Sequence, residues 1–256
     1  MKAVLTVLGS GTSMGVPTIG CGCAVCHSPD PHDRRTRPSV MVDYGGRRVL
    51  IDTTPDFREQ AIREGIRCLD AVLYTHAHAD HILGLDDLRP LTFHCAGKIP
   101  LYAQEPALRR IESMFSYIFA GDYKYGGIAQ VELNLLAGPL ELFGVVFEPI
   151  PILHGDTEIC GFRFGRAAYL TDHSEIPESS LPRLEGLDIL FLDALRHKPH
   201  PTHSTLENSL AIVDRLKPRR AFFTHISHDL AHEATNATLP PHARLSYDGL
   251  KLEFEI

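Results

Sequence analysis

No uninterrupted apolar run of about 18 residues occurs in the chain, so nothing in it reads as a membrane-spanning helix. Positive charge is scarce too. Lys and Arg number 25 against 32 Asp and Glu, a formal net charge of -7 that argues against a nucleic-acid partner. It does not argue against a phosphate substrate, because bound divalent ions invert the local field. The glycine-rich stretch Gly9-Ser10-Gly11-Thr12-Ser13-Met14-Gly15-Val16-Pro17 lacks the Lys-Ser/Thr ending of a nucleotide-cradling loop. Before it, Met1 to Leu8 is too short and too strand-like in its alternation for an export signal, so a cytoplasmic location is expected. Six cysteines, three of them crowded at 21, 23 and 26, do not form an expected disulfide framework, since such close neighbours cannot easily pair.

What is present is an ordinary globular composition, 44% apolar and 22% charged, able to bury a sizeable core. The 256 residues are read as one domain, 1–256. The chain is organised around Tyr74-Thr75-His76-Ala77-His78-Ala79-Asp80-His81, which packs three imidazoles and a carboxylate directly after the apolar run Ala71 to Tyr74. In an extended segment alternate residues point the same way, so His76, His78 and Asp80 are expected to converge while His81 begins a second set. A single tetrahedral ion needs three or four ligands. The chain offers more, which points to two ions sharing a bridging group. Cys21, Cys23 and Cys26 make a second candidate metal cluster, three thiols that require a Cys or His from elsewhere as fourth ligand.

A recurring pattern supports the first site. Apolar strand-like runs end repeatedly in a metal-competent residue: Val145 to Leu153 before His154, Ala167 to Thr171 before Asp172, Ile189 to Leu192 before Asp193, Ala221 to Thr224 before His225. Ligands held at strand ends over a rigid sheet are how layered α/β enzymes build sites. Asp52, at another strand end, is read as a carboxylate orienting a ligating imidazole.

The remaining expectations are local. Ser39 to Asp43 and Arg47 to Ile51 flank Gly45-Gly46 and predict a hairpin. Thr54 is expected to cap a helix that starts at Pro55 and stops at Gly65. Ile82 to Leu91 predicts a short helix ended by Pro90, and Ala107 to Phe115 an amphipathic one. Arg89 is read as an exposed salt-bridging arginine rather than a phosphate contact. Tyr117 to Gln130 reads equally as a lid, a subunit contact or an ordinary loop. Three histidines in the loop Ala194 to His203 point to substrate or leaving-group chemistry, and Ser204 to Glu207 reads as a capping box. Leu245 to Phe254 reads as a closing hairpin.

In H-x-H-x-D-H followed by His154, Asp172 and His225, the chain resembles the metallo-β-lactamase superfamily. The resemblance implies an α/β fold, a four-layer αβ/βα sandwich of two mixed sheets flanked by helices. Within it, the Gly9 to Pro17 loop, the three cysteines, Gly84-Leu85-Asp86-Asp87-Leu88-Arg89 and Thr224-His225-Ile226-Ser227-His228 are similar to the PhnP-type phosphodiesterases. That resemblance implies a structural zinc on Cys21, Cys23, Cys26 and His228. It implies two catalytic divalent ions, manganese or zinc, one on His76, His78 and His154, the other on Asp80, His81 and His225, with Asp172 bridging. It also implies His203 as general acid, with Asp80 as a further catalytic residue, and a homodimer. The expected activity is metal-dependent hydrolysis of a small, cyclic or linear phosphodiester. Two such ions about 3.5 to 4 Å apart can hold a hydroxide for in-line attack. An RNase Z-like tRNA-processing nuclease is the alternative enzyme, disfavoured because no lysine-rich arm is visible. A non-hydrolytic PqqB-like biosynthetic accessory is the alternative outside enzymology.

Overall fold

Gly45 and Gly46 adopt φ of 55° and 77°, a left-handed pair that ordinary residues avoid. The two-residue turn they make joins β2 (Ser39–Tyr44) to β3 (Arg47–Ile51) in antiparallel register with Tyr44 opposite Arg47, as the sequence predicts. The hairpin lies within the first of two sheets. The computed structural model describes residues 1–95, 97–121 and 127–256.

The first seven-stranded sheet has the order β14-β1-β2-β3-β4-β5-β6. Its further strands are β1 (Lys2–Gly9), β4 (Ala71–Leu73), β5 (Ile99–Ala103), β6 (Val131–Leu135) and β14 (Lys251–Glu255). Pairing is antiparallel from β14 to β3 and parallel from β3 to β6. The second sheet repeats the scheme in the order β13-β12-β11-β10-β9-β8-β7. It comprises β7 (Leu140–Leu142), β8 (Val145–His154), β9 (Thr157–Phe164), β10 (Ala167–Leu170), β11 (Ile189–Asp193), β12 (Arg220–Thr224) and β13 (Ala243–Leu245), antiparallel up to β10 and parallel beyond it. The helices are α1 (Phe57–Arg63), α2 (Ala79–Ile82), α3 (Glu105–Met114), α4 (Ser116–Phe119), α5 (Leu206–Leu216) and α6 (His232–Asn236).

Alternation along the strands divides the apolar residues into three layers. Val7, Val42 and Ile51 of the first sheet meet Phe147, Phe162 and Phe191 of the second in a buried slab between the sheets. On the opposite face of the first sheet, Leu50, Val72 and Leu101 pack against Phe57, Ile82 and Ile111 of the helical side. Leu170, Leu190 and Phe223 do the same against Leu206 and Val213 of α5. Helix, sheet, sheet, helix is thus the layer order, the expected four-layer sandwich. Phe162 is fully buried in the middle slab, and truncating it to Ala would cost about 3–5 kcal/mol.

Several local expectations are corrected. The helix after Pro55 begins only at Phe57, because the Thr54 hydroxyl accepts from the Asp56 N–H and donates to the Gln60 side chain instead of capping a turn that starts at Pro55. Pro90 lies inside a 3-10 segment, Leu85–Phe93, rather than ending a helix. The cap of α5 is Thr205, which accepts from Asn208, while Glu207 turns out to pair with His197. Leu245 to Phe254 is not a hairpin: β13 pairs with β12 in the second sheet and β14 with β1 in the first. The crossing between them is anchored by Asp248, whose carboxylate accepts from Ser10 and Thr36. Although the six cysteines are not read as a disulfide framework, Cys68 and Cys95 form one disulfide with Cα atoms 5.4 Å apart. Of the segment 117–130, residues 122–126 lie outside the described residues; Tyr117 before them donates to Asp86. Among the described residues no helix is long and apolar enough to cross a membrane.

Candidate metal centre

Three residues at strand ends, Asp52 after β3, Asp172 two residues beyond β10 and His225 after β12, have φ of 66°, 61° and 57°. Left-handed backbone is uncommon outside glycine and concentrates at functional sites, where the surrounding structure enforces it. Here it coincides with strand ends, and all three residues are fully or almost fully buried.

The structure gathers the sequence-predicted ligands into two neighbouring groups. Donor atoms of His76, His78 and His154 lie within 4.8 Å of one another, as do those of Asp80, His81, Asp172 and His225. Extended alternation holds for His76 and His78 only. The chain becomes helical at Ala79, so Asp80 joins His81 instead of His76, a correction to the reading from alternation alone. Asp172 touches both groups: one oxygen is 3.3 Å from His225 Nε2 and 3.9 Å from His76 Nε2, the other 3.3 Å from His81 Nε2.

Outer contacts fix which ring nitrogen faces inward. Asp52 is bound by the Thr75 backbone and hydroxyl and holds His81 Nδ1 at 2.8 Å, which is the orienting role expected of it. His154 Nδ1 donates to the Thr202 carbonyl at 2.8 Å. Both arrangements leave Nε2 for a metal. The Asp80 Oδ2, His81 Nε2 and His225 Nε2 atoms are buried with no hydrogen-bond partner, a costly state unless a cation completes them. Protonation patterns agree. Burial opposes charge on His225, yet Asp172 and Asp80 outweigh it and raise its pKa to about 9. Burial likewise opposes charge on His81, but Asp172, Asp80 and Asp52 hold it well above the ordinary value. His76, buried and beside His81, moves the other way and stays neutral. In the Asp80 group the carboxylates draw protons onto buried imidazoles, a place that a divalent cation would take instead.

A second cluster forms where Cys21, Cys23 and Cys26 surround His228 Nδ1 at 3.2, 3.6 and 3.4 Å. The Cys26 N–H donates to Cys23 Sγ and lowers that thiol to about 7, while burial raises Cys26 to about 11. Three thiols and one imidazole are a tetrahedral zinc set. The scaffold under it is Arg35, buried, which pairs with Asp33 at 2.9 Å and donates to the carbonyls of Ser227 and Leu230.

His203 stands beside the first centre. One of its nitrogens lies within 4.8 Å of donor atoms of His154 and Asp172, its ring stacks on His225 at 4.3 Å, and its Nδ1 is 2.7 Å from Asp193 Oδ2. The strand-end pattern had singled out Asp193 without a role; this contact supplies one. Burial raises the Asp193 carboxyl and lowers His203, so the pair is net neutral with one shared proton. Of the other loop histidines, His200 lies next to His203 at 5.1 Å, whereas His197 turns to solvent and Glu207. Arg89 donates to the Gly127 carbonyl and forms no ion pair among the described residues, so the expected salt bridge is not found.

Two clefts share no lining residue: one reaches the ligands themselves, the other adjoins them at His203. One, about 190 Å³, is bounded by His76, His78 and His154 and by Gln104, Arg110 and Glu158. The other, about 160 Å³, holds His203 with His200, Arg196 and the Ser13-Met14 loop.

Residues 47–226 match the beta-lactamase superfamily domain. A solved structure described as a new diphosphatase from the PhnP family is 63% identical, superposes with a TM-score of 0.94, and covers 99% of this chain and 98% of its own. An octanoyltransferase of Porphyromonas gingivalis is 39% identical over 98% of this chain, which spans only 51% of that relative. The coenzyme PQQ synthesis protein B of Methylobacterium nodulans is 28% identical over 75% of the chain and 72% of its own length.

Proposed function

Because the chain belongs to the beta-lactamase superfamily and, within it, to the PhnP family of metal-dependent hydrolases, we propose that it hydrolyses a small phosphodiester. Linear, cyclic and diphosphate-linked diesters are its candidate substrates, the last because the 63% identical neighbour is named a diphosphatase. The observation that carries the reading is a pair of donor groups joined by Asp172 with the His203–Asp193 pair at their edge. In this reading His76, His78 and His154 hold one ion, Asp80, His81 and His225 the other, and Cys21, Cys23, Cys26 and His228 a structural zinc. Manganese and zinc both suit the mixed O/N set. Bound there, the ions supply charge neutralisation at the phosphoryl oxygens and activation of water.

The chain's own groups do the rest. Asp52, Thr75 and the Thr202 carbonyl keep the imidazoles aligned. His203 gives its Nε2 proton to the leaving oxygen while Asp193 retains the Nδ1 hydrogen bond. One P–O bond forms to the oxygen of water and one breaks to the leaving oxygen; the proton lost by water restores His203 through solvent. The octanoyl transfer named for the half-matched relative is not carried over, because this chain covers about half of that protein.

The test is hydrolysis of bis-p-nitrophenyl phosphate and a 2',3'-cyclic nucleotide by metal-stripped protein reloaded with manganese or zinc. Turnover that requires metal and disappears in Asp172→Ala is the expected result. Absence of turnover in protein shown to carry both ions would remove the phosphodiesterase reading and favour the PqqB-like accessory role.

A further inference from the structure

The two clefts differ in one respect that fixes how a diester lies across the centre: His203 lines only one of them. In the proposed reading His203 faces the leaving oxygen, so the departing arm, whether or not it needs the proton, occupies the His203 cleft and the arm retained on phosphorus extends into the other. That second cleft is walled by α3 and the start of β9. Its two adjacent arginines are unlike. Arg109 pairs with Glu105 one turn back, whereas the guanidinium of Arg110, lining the cleft, has no hydrogen-bond or ion-pair partner among the described residues. Glu158 lines the same space without pairing with it, so the guanidinium keeps its donors for a ligand.

We infer that Arg110 is a specificity residue that binds an anionic group on the retained arm, so that the preferred substrate is a diester whose retained arm carries a second negative charge. This rests on the phosphodiesterase reading. A guanidinium presents several donors in a fixed fork and gains most from a carboxylate or phosphate, which no neutral arm supplies.

Two p-nitrophenyl diesters decide it: bis-p-nitrophenyl phosphate, whose retained arm is uncharged, and p-nitrophenyl 4-carboxyphenyl phosphate, which expels nitrophenolate and whose retained arm carries a carboxylate. With the metal-loaded full chain, Arg110→Ala should lower the kcat/KM ratio of the anionic over the neutral diester by about tenfold, the loss of one charge-assisted hydrogen bond. The loss should be carried by KM, and Arg110→Lys should restore part of it. Calorimetric affinity for 4-carboxyphenyl phosphate should fall by a similar factor. An unchanged ratio, or a loss in kcat alone, overturns the assignment. A wild-type chain that hydrolyses neither diester removes the phosphodiesterase reading instead, and the calorimetric comparison then still decides whether Arg110 binds the anion.

Discussion

His203 Nδ1 lies 2.7 Å from Asp193 Oδ2, and this contact joins the end of a buried strand to a loop at the edge of the metal centre. Asp193 is fully buried, and its carboxylate has no use in packing. Its position makes sense as a device that fixes one ring nitrogen of His203 and leaves the other free.

The first prediction follows from that pair. His203→Ala should slow cleavage of a diester with an alkoxide leaving group by about 10² to 10⁴, and hydrolysis of bis-p-nitrophenyl phosphate far less, since nitrophenolate departs without a proton. Asp193→Asn should fall between wild type and His203→Ala and show the same dependence on leaving group. Equal losses on both substrates would assign His203 to folding or metal retention rather than acid catalysis.

Asp52 permits a test of orientation separated from ligation. It touches no expected ion but holds His81 Nδ1 at 2.8 Å while two Thr75 donors bind it. Asp52→Asn should weaken metal affinity by about 10- to 100-fold, the usual cost of losing such a partner. Competition with a chelator measures this directly, and unchanged retention would contradict the role.

The Cys-His cluster should behave as an independent site. Cys23→Ser should remove one zinc per chain by elemental analysis, lower Tm by several degrees, and leave the other ions bound. Loss of all ions together would mean that the cluster and the catalytic groups are not separate.

Much of this was legible because strand ends announce themselves. Runs such as Ala221 to Thr224 stop at a polar residue that no apolar core would accept, and periodicity finds such stops. The chain could not show which sheet a strand joins, so Leu245 to Phe254 read as a hairpin although its two strands lie in different sheets. Nor could it pair residues distant in sequence: Cys68 with Cys95, Asp193 with His203, Arg110 with the cleft beside His78. Asp80 was misplaced for a local reason, the onset of a helix one residue earlier, which alternation does not register.

The last prediction concerns acid stability, through a histidine outside the centre. His232 opens α6, donates its backbone N–H to Asp33, and packs its ring against His32 and Tyr247. Burial, then the neighbouring His32 and Arg35, lower its pKa from 6.5 to about 4. The Asn236 amide donates to Nε2, which keeps Nδ1 as the protonated nitrogen of a neutral ring. A histidine depressed in the folded state is neutral there while the unfolded chain already takes up a proton. Its contribution is therefore complete above pH 6.5 and is lost progressively as pH falls toward 4. His232→Gln keeps a polar side chain but cannot titrate, so its Tm should fall less steeply than that of wild type between those two values. Parallel curves for the two proteins would show that His232 does not set the acid limb, and the buried carboxylates would then have to account for it.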